Sequence, residues 1–337
     1  MNCRERVINA LEFKTPDRVP RQLWKLPGIG MFRKSELDAI LEKYPEDILI
    51  PEVAYGKGER EKGTRYLRKQ PATDAWGCEW HAGEDGVAGV VRMPPIKTMA
   101  EIDRLKAPFE ILRKADFTNA NELHEKTDKF ILAWTTVRPF ERMQFLVGTE
   151  NLFMELAIAS KQLFRLRDIV HEFFMEELEM WIGTDADGIM FMDDWGSQES
   201  LIISPAMWRD LFKPLYKEYC DLIHRKNKYV FFHSDGNIEA IYKDLIELGI
   251  NAINSQLFCM DIEDLGRKYK GKVTFWGEID RQHVLPFGTN EDVASAVTRV
   301  KNALWKPEGG IIGQCEFGLV DPCKNIEAVF EAWEAIV

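Results

Sequence analysis

Side chains able to hold a metal or move a proton collect directly behind apolar runs. In Tyr229–Asn237, YVFFHSDGN, four apolar or aromatic residues lead into His233, Asp235 and Gly236. Gly188–Met192 (GIMFM) leads into Asp193 and Asp194, and Phe130–Trp134 ends on Trp134. Ile250–Asn254 is followed by Ser255 and Gln256, Val273–Trp276 by Glu278 and Asp280, and Gly310–Gly313 by Gln314, Cys315 and Glu316. An imidazole, a thiol and carboxylates make a zinc set. Zinc takes N, S and O ligands tetrahedrally, and a catalytic site leaves one position open. His233, Cys315 and Glu278 are the candidate ligands, with Asp235 as the other carboxylate. The spacing is not that of a zinc finger.

Each of these residues also has a structural reading. Asp235 can cap the helix that follows it. Cys315 can be a small buried side chain, and Glu278 can pair with Arg281 or Lys272. The Asp193-Asp194 doublet can cap the next segment, bind polar groups of a substrate, or act as an acid/base pair whose members push one pKa up. Gln256 and Trp134 are candidate pocket walls. His171 and His224 fall in helical segments, and His81, His124 and His283 follow no apolar strand.

The elements that must position these residues alternate. Continuous apolar runs without a period of two suit strands buried on both faces. Strands are expected at Val19–Leu26, Asp47–Val53, Phe130–Trp134, Gly188–Met192, Tyr229–Phe232, Ile250–Asn254, Val273–Trp276 and Gly310–Gly313. Helical periodicity marks Asn2–Glu12, Ser35–Lys43, Glu141–Gly148, Glu150–Ala159, Lys161–Ile182, Ile238–Leu248 and Ile326–Ile336. Ser204-Pro205 opens one long helix to about Lys226, with Ser as N-cap and Pro in the first turn. Eight alternating units predict an α/β fold, a (β/α)8 TIM barrel, formed by residues 1–337 as a single domain. Ala54–Pro95, rich in Gly and charge, reads as a β-ribbon insertion after the second strand. In such a barrel the strand C-termini converge on one pocket. A doubly wound sheet is the other fold considered, and Gly28–Gly30 is too short a signature for it.

With 337 residues, 29% charged, the chain can bury a sizeable core. Its formal net charge of −11 disfavours nucleic acid as a partner. No apolar run approaches the ~20 residues of a membrane span. Six cysteines without a C-x-x-C pair do not read as a disulfide framework. A cytoplasmic enzyme with reduced thiols acting on a small molecule is expected, and its oligomeric state is open.

The segments RVINALEFKTPDRVP (Arg6–Pro20), DGIMFMDDWGSQ and ISPAMWRDLFKP within Asp187–Pro214, His233-Ser-Asp-Gly, Gly277-Glu-Ile-Asp and Gly313-Gln-Cys resemble the uroporphyrinogen decarboxylase superfamily. The resemblance spans nearly the whole chain. It implies a (β/α)8 barrel with its site at the mouth. It also implies one of two chemistries: decarboxylation of uroporphyrinogen, or zinc-dependent methyl transfer with corrinoid proteins or coenzyme M. Decarboxylases of the superfamily carry an Arg-Gln-Ala-Gly-Arg loop after the first strand, where this chain has Leu23-Trp-Lys-Leu-Pro-Gly-Ile-Gly. The methyltransferase branch carries His-x-Cys and a distant Cys as zinc ligands. Here His233 and Cys315 match, and Asp235 stands in the middle position. The resemblance thus implies a zinc-dependent methyltransferase with a corrinoid protein as partner. Asp193 and Asp194 would be catalytic, and Trp134, Gln256 and Asp235 would bind substrate. The alternatives are a decarboxylase or lyase on a small acid, or a non-catalytic binding barrel.

Overall fold

The computed structural model describes residues 1–335. In chain order its strands are β1 (Arg21–Lys25), β2 (Ile48–Leu49), β3 (Ala72–Thr73), β4 (Glu79–His81), β5 (Val90–Met93) and β6 (Phe130–Trp134). They continue with β7 (Gly188–Met192), β8 (Tyr229–Ser234), β9 (Ala252–Ser255), β10 (Thr274–Trp276) and β11 (Ile311–Phe317). Eight of them form one sheet, ordered β1-β11-β10-β9-β8-β7-β6-β2, and its pairings are parallel. The two edges meet at Asp47. Its N–H donates to the Arg21 carbonyl at 3.0 Å, and its carboxylate accepts from the Arg21 N–H at 2.8 Å. The sheet is therefore a nearly closed (β/α)8 barrel.

Alternation along each strand splits the core in two. One buried cluster fills the barrel: Trp24, Ile48, Phe130, Leu132, Met190, Met192, Phe231, Ala252, Trp276 and Ile312. The other lies between strands and helices and holds Leu23, Ile131, Ile189, Phe232, Ile253, Phe275 and Cys315. Side chains at i and i+2 share a face. On β11, Ile312 therefore places Gln314 and Glu316 inside, while Cys315 faces the helices.

The base of the barrel is closed by the Cys3–Leu11 helix, whose Val7 and Leu11 join the interior cluster. Asn2 and Glu5 cap that helix reciprocally. Arg6 and Arg18 each reach the fully buried Asp47 at 2.7 Å, which ties the helix to the barrel seam. Between β2 and β6 in the chain lies a three-stranded antiparallel sheet, β3-β4-β5. Asp74 anchors it: the carboxylate accepts from Trp80 Nε1 at 3.0 Å and pairs with Arg142 of the Pro139–Val147 helix at 2.8 Å.

The helix from Ser204 is not continuous. Ser204 caps as expected, accepting from the Met207 N–H at 3.2 Å, but the segment divides into Pro205–Leu211 and Lys213–His224. Pro214 is the cause: it has no N–H, and its ring meets the carbonyl four residues back. Just past the first strand, Pro27–Phe32 is a short helix that starts on its proline.

Candidate metal centre at the barrel mouth

β8 extends through His233 and Ser234, and its alternation points His233 inward beside Phe231. The ring of His233 lies 5.0 Å from that of Trp24, which in turn sits 4.9 Å from Trp134 and 5.1 Å from Trp276. These three indoles form the floor beneath the mouth. Gln22 fixes two of them, accepting from Trp276 Nε1 at 2.8 Å and Trp24 Nε1 at 3.2 Å.

The His233 tautomer follows from its neighbour. Asn254 on β9 donates through Nδ2 to the Trp276 carbonyl at 2.5 Å and to Gln314 Oε1 at 3.1 Å. Its Oδ1 is thereby the atom facing His233 Nδ1, at 2.6 Å, so Nδ1 carries the proton. His233 Nε2 then faces the mouth. It faces Asp235 Oδ1 at 3.5 Å and Asp194 Oδ1 at 3.7 Å. One ligand atom from each of Asp194, His233 and Asp235 lies within 4.8 Å of the others. With Nε2 deprotonated, these three atoms form the donor set of a divalent cation. Asp235 Oδ1 is buried and pairs with Arg281 Nη2 at 2.5 Å. The residues present thus fit a metal.

Arg281, in the turn after β10, is the hub of the remaining acidic groups. It meets Asp235, Glu316 at 2.8 Å and Glu278 at 3.3 Å. Burial works against the charged form of Asp235, but His233 and Arg281 outweigh it and hold the carboxyl below its usual range. Glu278 goes the other way. Burial, reinforced by Glu316 and Asp235 and opposed by Arg281, pushes it well above the usual carboxylate range. Burial disfavours the charged form of Arg281, yet Glu278, Glu316 and Asp235 raise its pKa above the ordinary arginine value.

The site residues expected from the sequence divide accordingly. His233, Asp194 and Asp235 come together. Trp134 joins the indole floor. Gln256 accepts from the Gly236 N–H at 2.7 Å and so holds the loop that carries Asp235. Glu278 is at the mouth but bound to Arg281 rather than in the close trio. Two residues require correction. Cys315 faces the helix layer, because it alternates with the inward Gln314 and Glu316, and it does not meet His233. Burial, then Asp321 and Glu316, push its thiol well above the ordinary value. Asp193 is fully buried and turned away from the mouth. Its carboxylate accepts from the N–H groups of Phe140 and Glu141 at 2.8 and 2.9 Å and from the Tyr216 hydroxyl at 2.8 Å. It caps the Pro139–Val147 helix. Sequence reasoning offered Arg281 only as a partner for Glu278, which it is, and gave Asn254 no separate role. A signal existed for the cysteine: a period of two on the last strand separates it from Gln314 and Glu316.

An acceptor trio at the C-terminal mouth defines the class: a (β/α)8-barrel protein with its candidate site where barrel enzymes carry theirs. The chain belongs to the uroporphyrinogen decarboxylase (URO-D) family, whose model matches residues 72–336. A solved methyltransferase from Methanosarcina mazei superposes with a TM-score of 0.74 at 14% identity, over 100% of this chain and 99% of that one. At that identity the likeness is one of fold. Xylanase 10B from Thermotoga maritima aligns over 100% of this chain and 99% of its own, at 11% identity and a TM-score of 0.47, too distant to carry an argument. No curated protein matches the chain. No helix among the described residues is long and apolar enough to cross a membrane.

Proposed function

We propose that the protein is a zinc-dependent methyltransferase of the URO-D family, moving a methyl group from a small methylated substrate to a corrinoid-carrying partner protein or a thiol. The observation that carries this reading is the trio of Asp194, His233 and Asp235, with the His233 tautomer fixed by Asn254. Family membership and a barrel shared with a methyltransferase support it.

Zinc held there would supply a Lewis acid that polarises the heteroatom bearing the methyl group. The protein's own groups do the rest. Asn254 holds a proton on His233 Nδ1 and aims Nε2 at the mouth. Arg281 steadies Asp235 and compensates its charge, and it also pairs with Glu278 at 3.3 Å. Asp194 is half-exposed and also accepts from the Asp235 N–H at 2.9 Å, so the Asp194 and Asp235 loops move together. Trp24, Trp134 and Trp276 exclude water from below. All three ligands are hard or borderline N and O donors, so the metal is a stronger Lewis acid than one held by thiolates. That suits the activation of an oxygen-bound methyl group.

The test is elemental analysis of protein purified without chelator, paired with a demethylation assay. About one zinc per chain is expected, lost in His233→Ala and in Asp235→Asn. Metal-free protein that turns over substrate would contradict the reading and favour a decarboxylase or lyase.

A further inference from the structure

Beside the trio, a cavity of about 470 Å³ lies between the small antiparallel sheet and the Pro139–Val147 helix, and Asp194 forms part of its wall. Its other polar walls are Arg65, Arg138, Glu141, Gln144 and Thr149. In a chain of net charge −11, two guanidiniums in one cavity need an explanation.

Neither guanidinium has a carboxylate within hydrogen-bond distance. Arg65 lies over the Trp80 ring at 3.8 Å, and its Nε is buried without a partner. Its Nη2 makes one long contact, 3.4 Å to the Ala88 carbonyl. Burial, and beyond it the repulsion of Arg142 and Arg138, lowers the Arg65 pKa. Arg138 reaches the Met192 sulfur and stands 3.6 Å from Glu141 Oε1, outside hydrogen-bond range. Glu141 Oε2 is likewise buried with no partner. Arg142, the third guanidinium nearby, is by contrast paired with Asp74 at 2.8 Å. Unmet donors in a buried wall cost more than unmet donors in water. A planar anion between two guanidiniums removes that cost. Phe145, Trp80, Val91 and Pro94 give the cavity an apolar side.

We propose that this cavity is a carboxylate subsite. Its occupant is an organic monocarboxylate held by Arg65 and Arg138, with an apolar body on Phe145, Val91 and Pro94 and its other end towards Asp194. The methyl-transfer reading says which end reacts; the binding of the carboxylate does not depend on it. The substrate class that follows is a small methylated acid.

The probe is benzoate, titrated calorimetrically into the full chain, with benzyl alcohol as the uncharged match and inorganic phosphate as the competing anion. Benzoate binds, and benzyl alcohol binds at least about tenfold more weakly. Arg138→Gln and Arg65→Gln each weaken benzoate by at least about tenfold while leaving benzyl alcohol nearly unchanged. Arg138→Lys recovers part of the loss. Arg65 also packs on Trp80, so Arg138→Gln, at a half-exposed position, is the decisive variant if Arg65→Gln folds poorly. Benzoate affinity unchanged in Arg138→Gln, equal affinity for the alcohol, or binding of phosphate in place of benzoate would overturn the proposal. Zinc content is read on the same samples. Wild-type protein without zinc that still binds benzoate through Arg138 would sink the methyl-transfer reading and leave the subsite standing.

Discussion

Asp193 accepts three hydrogen bonds in a fully buried position, and removing it leaves two helix N–H groups and a tyrosine hydroxyl without a partner. Asp193→Ala is expected to lower stability by about 3 kcal/mol, read from a denaturant midpoint. Asp194 next to it is half-exposed, and Asp194→Asn is expected to change stability by less than ~1 kcal/mol while impairing turnover. Cys315→Ala should retain the wild-type zinc content. The sequence placed both aspartates behind a strand and could not say which one turned inward. The chain bends out of β7 at this doublet, so the two carboxylates part company for reasons of local backbone. Cys315 was readable, since strict alternation on β11 puts it opposite Gln314 and Glu316.

The Pro139–Val147 helix joins the two halves of the site. Its first turn is capped by Asp193, and Glu141 faces Arg138, Asp194, His233 and Arg142 from it. Burial pushes the Glu141 carboxyl up to about 7, opposed by Arg138 and reinforced by Asp194. A folded pKa raised above the unfolded value of about 4.3 stabilises the native state fully below the latter. That contribution fades as pH rises through about 7. Glu141→Gln should therefore flatten the fall in stability between about pH 4.5 and 7, checked by thermal melts across that range. The helix periodicity was legible in the sequence. The burial of Glu141 was not, because it depends on the small sheet that covers it. The break between Pro205–Leu211 and Lys213–His224 was readable from Pro214 alone.

Across the whole molecule, eight apolar runs sufficed to indicate the barrel, since parallel strands covered on both faces leave little else that such a pattern can build. The mouth followed from the barrel, and with it His233, Asp235 and the region of Glu278. Which acids gather around the histidine did not follow. That choice is made by Arg281, which holds Glu278 and Glu316 and braces Asp235 beside His233. Arg281→Met should release these carboxylates to repel one another. It is expected to reduce zinc affinity by roughly ten- to a hundredfold, as loss of an outer-shell partner does, measured by competition with a chromogenic chelator.

The central claim is a metal held by nitrogen and oxygen alone. X-ray absorption at the zinc edge of the metal-loaded protein tests it most directly. A first shell of N/O scatterers at about 2.0–2.2 Å, with an imidazole signature from His233 and no sulfur, is the expected result. A sulfur scatterer at about 2.3 Å would contradict it, because a thiolate would then have to reach the mouth that Cys315 faces away from.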